Sequence, residues 1–246
     1  LFGATLTVEK VAILVFLSSI VNIFWFVPAS HLQLIKKDVW AVPQTLWQSI
    51  YYAVLITTSY AYSRGDSIII QKTLGSAALG WYSVAYRYLE GLSMIPTALA
   101  QNLFHEAAKE GAVTRQQLLR ITALLFGLGF VSMAVVIGLA EFLTVTILGP
   151  AYAPATELVR MLAIVSFLFF CNAPLGAVVQ SSRLLSAFVP WGIANTALNI
   201  ALNIVFVPVY GVIAAAYIMI ITELIGCAIN LWFARKLYQK NTYVVA

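Results

Sequence analysis

The sequence predicts an all-α, polytopic membrane protein of seven transmembrane helices, and three observations carry that prediction. Of its 246 residues, 62% are hydrophobic and only 9% charged, where a soluble domain carries about 25% charged residues. With a mean hydropathy of +0.92, the chain has too few charges to cover a water-facing surface. The apolar residues fall in long runs without period-2 alternation, which selects helices over barrel strands as the way to satisfy the backbone in lipid. Lys and Arg collect in alternate connections between those runs, as the positive-inside rule requires.

In order, the first span is expected over 8–27, ending at Pro28. The second, 45–72, would be about 42 Å long at 1.5 Å per residue, so it must tilt or project beyond the bilayer. The third covers 78–104 with a kink at Pro96, and the fourth 117–147. The fifth, 154–180, is interrupted by Pro174. The sixth, 186–206, ends at Pro208, and the seventh runs over 211–235. Trp40, Trp47, Trp81, Tyr82, Tyr152, Tyr210 and Trp232 fall near span ends, where aromatic rings favour the interface.

One set of connections and the tail carry Lys36, Lys37, Lys109, Arg115, Arg120, Arg183, Arg235, Lys236 and Lys240, while the opposite side keeps only Lys10 and Lys72: nine against two. That bias places the first span running outside to inside and the C-terminus in the cytoplasm. The chain opens at Leu1 without an initiator Met or a signal-peptide pattern, and is expected to be the C-terminal part of a longer protein.

Several function classes find no support. His31 and His105 lack ligand-spaced partners, so no metal site is expected. There is no phosphate-binding Gly-Lys-Ser/Thr loop and no Gly-x-Ser-x-Gly elbow. Cys171 and Cys227 sit in apolar runs as small buried hydrophobes. The net charge of +5 reflects topology rather than nucleic-acid binding. No cofactor and no enzymatic activity are expected, and any energy source would be an ion gradient, the substrate's own gradient or another subunit.

The candidate site is a charged hairpin. Ionisable groups inside a membrane segment are costly, by roughly 2.5–3.5 kcal/mol each on insertion scales, and so mark function by default. Arg64, Asp66, Arg87 and Glu90 flank a turn at Gly75-Ser76. In an antiparallel hairpin, residues at one depth have position numbers with a nearly constant sum, which pairs Asp66 with Arg87 and Arg64 with Glu90. These pairs either lock the hairpin, adding little net stability, or line a water-filled cavity where arginine forks hold an anionic group. Asn195, Asn199 and Asn203 recur every four residues on one face of the sixth span. Glu223 and Asn230 share a face of the seventh, and Glu223 has no charge partner on its own helix. The alternatives are interhelical hydrogen bonding and a polar stripe facing a cavity. Gly211, Ala215 and nearby alanines form a small-residue face.

Asp66-Ser-Ile-Ile-Ile-Gln-Lys-Thr-Leu-Gly75 with Ala78-Leu-Gly80-Trp-Tyr-Ser-Val-Ala85-Tyr-Arg87 resembles the seventh-to-eighth helix signature of bacterial polysaccharide flippases. Ile147-Leu-Gly149-Pro-Ala-Tyr152 looks like that family's ninth-to-tenth helix turn. Leu198-Asn-Ile-Ala-Leu202-Asn203 through Pro208-Val-Tyr-Gly211-Val-Ile-Ala214-Ala215-Ala216 looks like its eleventh-to-twelfth junction. The family belongs to the multidrug, oligosaccharidyl-lipid and polysaccharide exporter superfamily, whose members have two six-helix bundles around a central cavity.

The resemblance implies that 1–28 closes an N-terminal bundle, 29–44 is a cytoplasmic linker, 45–237 is the C-terminal bundle and 238–246 is a cytoplasmic tail. It implies a flippase of the bacterial cytoplasmic membrane, moving undecaprenyl-pyrophosphate-linked oligosaccharide for O-antigen, capsule or exopolysaccharide synthesis by alternating access. Membrane lipids, a coupling cation (H+ or Na+) and polysaccharide-assembly proteins would be its partners, and Arg64, Asp66, Arg87, Glu90, Glu223 and Asn199 the candidate cavity residues. Rival readings are a peptidoglycan-precursor flippase or multidrug exporter of the same architecture, and a membrane polymerase or ligase. The last of these usually needs a larger external loop than the five- or six-residue outer connections here.

Overall fold

The computed structural model describes residues 17–18, 42–110 and 113–239, with side chains described from Ile50 to Leu103, from Val113 onward and at 17–18. The expected first span, most of the 29–44 linker and the tail beyond 239 lie outside the described residues, apart from two helical residues at 17–18. The chain divides into two compact units, Leu1–Ser49 and Ile50–Ala246, and the architecture below is that of the second.

Every regular element among the described residues is helical. These are α1 (Val42–Glu110), α2 (Arg115–Glu141) continued by a π-helical turn (Phe142–Thr146), a 3-10 turn (Pro150–Tyr152), α3 (Ala155–Gln180), α4 (Leu185–Tyr210) and α5 (Val212–Gln239). Gly75 sits at φ 84°, ψ −176° and breaks α1 into two arms. An L-residue with a side chain resists that backbone conformation and glycine does not, so the expected turn falls at this position. An ion pair between Arg64 and Glu90 spans the arms and establishes the antiparallel hairpin.

Arg115–Thr146, Ala155–Gln180, Leu185–Tyr210 and Val212–Gln239 are long and apolar enough to cross a membrane, and the protein is membrane-embedded. The arms of α1 are not among these four, because Ser, Thr, Tyr and charged residues interrupt their apolar runs. Helix α2 starts where Thr114 and Gln117 form a reciprocal capping box, each side chain accepting from the other residue's backbone N–H.

The prolines punctuate less than the sequence suggests. Helix α1 continues through Pro96, α3 through Pro174, and α4 through Pro190 and Pro208. The predicted end at Pro208 is therefore corrected: α4 stops at Gly211, whose φ is 75°. A proline removes one backbone donor. In lipid no water competes for the carbonyl left behind, and unwinding would expose several more groups.

Helix α3 is the most buried of the four apolar helices. It packs against α2 and α5, and α5 packs against α4. The principal core joins Ile70, Tyr82, Ala85 and Leu89 of the hairpin to Val136 and Ala140 of α2, Leu158, Leu162 and Val165 of α3, Val207 of α4 and Ala215, Ile218 and Met219 of α5. The alanines at 214–216 are all buried, so the expected small-residue face brings α5 close to its neighbours. Gly129 does the same between α2 and α3: a Cβ there would lie 2.7 Å from Phe170 Cβ. Outward, α2 presents Leu124, Phe126, Phe130, Val131, Val135 and Leu139, an apolar face suited to lipid.

Candidate functional site

The hairpin contains one of the two pairs read from its register. Arg64 Nη2 lies 2.9 Å from Glu90 Oε1, and Arg64 also stacks over the Tyr86 ring at 5.7 Å. The second expected pair, Asp66 with Arg87, does not form. Arg87 instead bonds Glu90 Oε2 at 3.0 Å, one turn along its own helix, with its side chain 77% exposed. Asp66 is buried and accepts the hydroxyl of fully buried Tyr82, the backbone N–H of Ser67 at 2.6 Å and the Ser67 hydroxyl at 3.3 Å.

The reason is azimuth. The register sum fixes depth alone, while side chains advance about 100° per residue around a helix. Tyr82 faces the core, and Arg87, five positions on, is turned about 140° from it. Asp66 and Arg64, two positions apart, point to nearly opposite sides of the first arm for the same reason. Glu90 therefore serves two arginines, and Asp66 is held by neutral donors.

A second, larger polar assembly lies among the helices of the same unit. Glu223 on α5 is buried. Its Oε1 accepts from Asn172 Nδ2 of α3 at 2.8 Å and its Oε2 from the Tyr62 hydroxyl of α1 at 3.3 Å. Asn230 Nδ2 donates to Asn172 Oδ1 at 2.6 Å. The Tyr62 hydroxyl also lies 3.0 Å from Thr222 Oγ1, which accepts from Asn199 Nδ2 at 3.0 Å. Asn203 Nδ2 in turn donates to Asn199 Oδ1 at 3.2 Å. Seven side chains from four helices thus form one continuous network, and no Lys or Arg is paired with Glu223 among the described residues.

Part of this network opens into a cavity of about 370 Å³ whose lining includes Tyr62, Tyr86, Asn172, Asn195, Trp191 and Glu223. Among the described lining residues Glu223 is the only Asp, Glu, Lys or Arg. The side-chain oxygens of Asn195 and Asn230, both lining residues, are buried without a hydrogen-bond partner, so two acceptors stand unsatisfied within the wall that holds the carboxylate.

Of the sequence-derived candidates, Glu223 is a wall residue of the cavity. Asn199 is buried behind it, bonding α4 to α5. Arg64, Asp66, Arg87 and Glu90 do not line it, although Tyr86, under the Arg64 guanidinium, does. Sequence reasoning missed Tyr62, Asn172 and Thr222, and its placing of Tyr82 among the interfacial rings is corrected, since Tyr82 is fully buried against Asp66. Asn172 carried a usable signal, as the one amide in the otherwise apolar run 161–179. The tyrosines had none, being two among 12.

The fold and site define a helical membrane protein with a polar, acceptor-rich cavity enclosed by apolar helices. The family model described as "Polysaccharide biosynthesis protein" matches residues 11–157, more than half of the chain, and the chain belongs to that family. No curated protein and no solved structure matches it.

Proposed function

We propose that the chain works as a flippase, carrying undecaprenyl-pyrophosphate-linked oligosaccharide across the bacterial cytoplasmic membrane for surface polysaccharide synthesis. It would do so without chemical conversion, by alternating access. In this reading the chain crosses the membrane seven times and its C-terminus is cytoplasmic. The observation that carries the proposal is the polar cavity beside Arg64, in a chain of the polysaccharide biosynthesis family. A sugar-pyrophosphate head cannot cross hydrocarbon unaided, because each polar group stripped of water needs a replacement partner. Asn172, Asn195, Asn230 and the aromatic rings supply partners suited to hydroxylated sugars. Arg64 and Arg87, sharing one carboxylate between two guanidiniums, retain donors for a pyrophosphate. Glu223 would take the coupling cation, H+ or Na+.

The test is surface glycan in cells whose only copy of the protein carries Glu223→Gln or Arg64→Ala at normal abundance. Loss of glycan with accumulation of the lipid-linked precursor on the inner leaflet is expected. Unchanged glycan in both variants would overturn the proposal.

One observation favours a second reading. Glu223, the sole charge in the cavity wall, also suits an exporter of cationic compounds. That reading predicts that Glu223→Gln sensitises cells to cationic drugs while leaving surface glycan intact.

A further inference from the structure

A second cavity is separate from the site above. It has a volume of about 620 Å³ and lies between the start of α2, α3 and the last turns of α5. Its apolar wall includes Leu119, Leu175 and Leu231, of which Leu119 and Leu231 are exposed. Arg115 and Arg235 also line it, and none of its lining residues is acidic. Neither arginine has an ion-pair partner among the described residues. Arg115 is the first residue of a 27-residue helix, so the positive end of that helix's dipole reinforces the guanidinium. Arg235 and Arg115 are held at one end of the bundle by a tie from α5 to the segment leading into α2: the Tyr238 hydroxyl donates to the Val113 carbonyl at 2.9 Å. Beneath, Leu118, Val178 and Leu237 form a small buried core, which makes the apolar floor firm. At the same end Lys236 stacks over Trp232 at 5.1 Å, a pairing suited to the membrane interface.

We infer that this cavity is a binding site for an anionic phospholipid, with the phosphodiester held by Arg115 and Arg235 and an acyl chain lying along the leucines. The chemistry has two halves that only a lipid joins. Two arginines with no ion-pair partner and no acidic lining residue among the described residues call for an anion, and Arg forks suit phosphate oxygens. The leucine wall continues onto exposed apolar surface, which calls for hydrocarbon. Basic pockets between helices of membrane proteins take anionic head groups on this basis. The inference stands independently of what the protein transports.

The test uses the full chain purified in a neutral detergent, with lipid binding followed by native mass spectrometry and by thermal unfolding. Phosphatidylglycerol should bind and raise the unfolding temperature, while phosphatidylcholine and inorganic phosphate at equal concentration should not. With an electrostatic gain of about fivefold per basic residue, Arg115→Gln/Arg235→Gln should weaken phosphatidylglycerol binding roughly 30-fold. Both side chains are exposed, so folding should survive. Leu119→Trp, which fills the groove and leaves both arginines, should weaken binding too. Equal affinity for the two lipids, a full effect from inorganic phosphate, or wild-type binding by both the arginine pair variant and Leu119→Trp would each overturn the inference.

Discussion

Tyr62 donates its hydroxyl to Glu223 across 3.3 Å, linking the first arm of α1 to α5 although 161 positions separate them in sequence. It bridges the hairpin to the Asn-rich network of α3–α5, and it lines the cavity together with its acceptor. Glu223 is therefore both a structural acceptor and the cavity's charge, and two substitutions separate those roles.

Glu223→Ala should leave Asn172 Nδ2 and the Tyr62 hydroxyl without their shared acceptor. A buried donor left unsatisfied costs about 1–3 kcal/mol, so thermal unfolding in detergent should fall by several degrees. Glu223→Gln keeps an oxygen for one donor and removes the charge, and should lose less than half as much stability. Equal losses in the two variants would mean that the charge, not the acceptor, holds the helices.

Tyr82→Phe should destabilise by about 1.5–3 kcal/mol, the range for a hydrogen bond to a charged group, because Asp66 loses its only partner from the second arm. Asp66→Asn in the same background should add little further loss. A double-mutant cycle by thermal or denaturant unfolding would reveal that coupling, and additive losses would contradict it.

Glu90→Ala should be more damaging than Arg87→Ala, since it strips two arginines of their carboxylate. Arg87→Ala removes one exposed pair, worth at most about 1 kcal/mol. Exchanging Asp66 and Arg87 should rescue nothing relative to Asp66→Arg alone, because the two do not meet. Recovery of stability in the exchange variant would restore the register-sum pairing.

Gly75→Ala and Gly129→Ala should both destabilise, for opposite reasons. At Gly75 a methyl meets open space, but the backbone is at φ 84°, ψ −176°, a region that only glycine adopts readily and that costs other residues about 1–3 kcal/mol. At Gly129 the helix is regular and the methyl would press on Phe170 at 2.7 Å, an overpacking cost of about 1–3 kcal/mol. Because the atoms it meets are Phe170 Cβ and Cγ, which leucine retains, Gly129→Ala/Phe170→Leu should recover little, and recovery to wild-type stability would place the strain in the ring instead.

What the sequence disclosed follows from what a one-dimensional pattern encodes. Runs of apolar residues located α2 to α5 to within about four residues, and Gly75 located the turn, because length and glycine act locally. The Arg64–Glu90 pair was legible because depth in a hairpin is arithmetic. Asp66–Arg87 was not, because which side of a helix faces the core depends on neighbours such as Met219, 3.9 Å from the Tyr82 hydroxyl. Glu223 stood out as a lone acid in an apolar run. Its partners Tyr62 and Asn172 come from helices far away in sequence, and no periodicity ties a donor on one helix to an acceptor on another.

The fold-back at Gly75 also shapes how the chain is made. Arg64 and Glu90 stand 26 positions apart, and both precede every residue of α2 in the order of synthesis. Arg64 can therefore find its carboxylate within the hairpin, without waiting for a later helix. Splitting the pair between remote helices would leave one charge exposed during insertion, at roughly 2.5–3.5 kcal/mol on the biological scale. Gly75 thereby makes biogenesis of the charged hairpin independent of the order in which the remaining helices assemble.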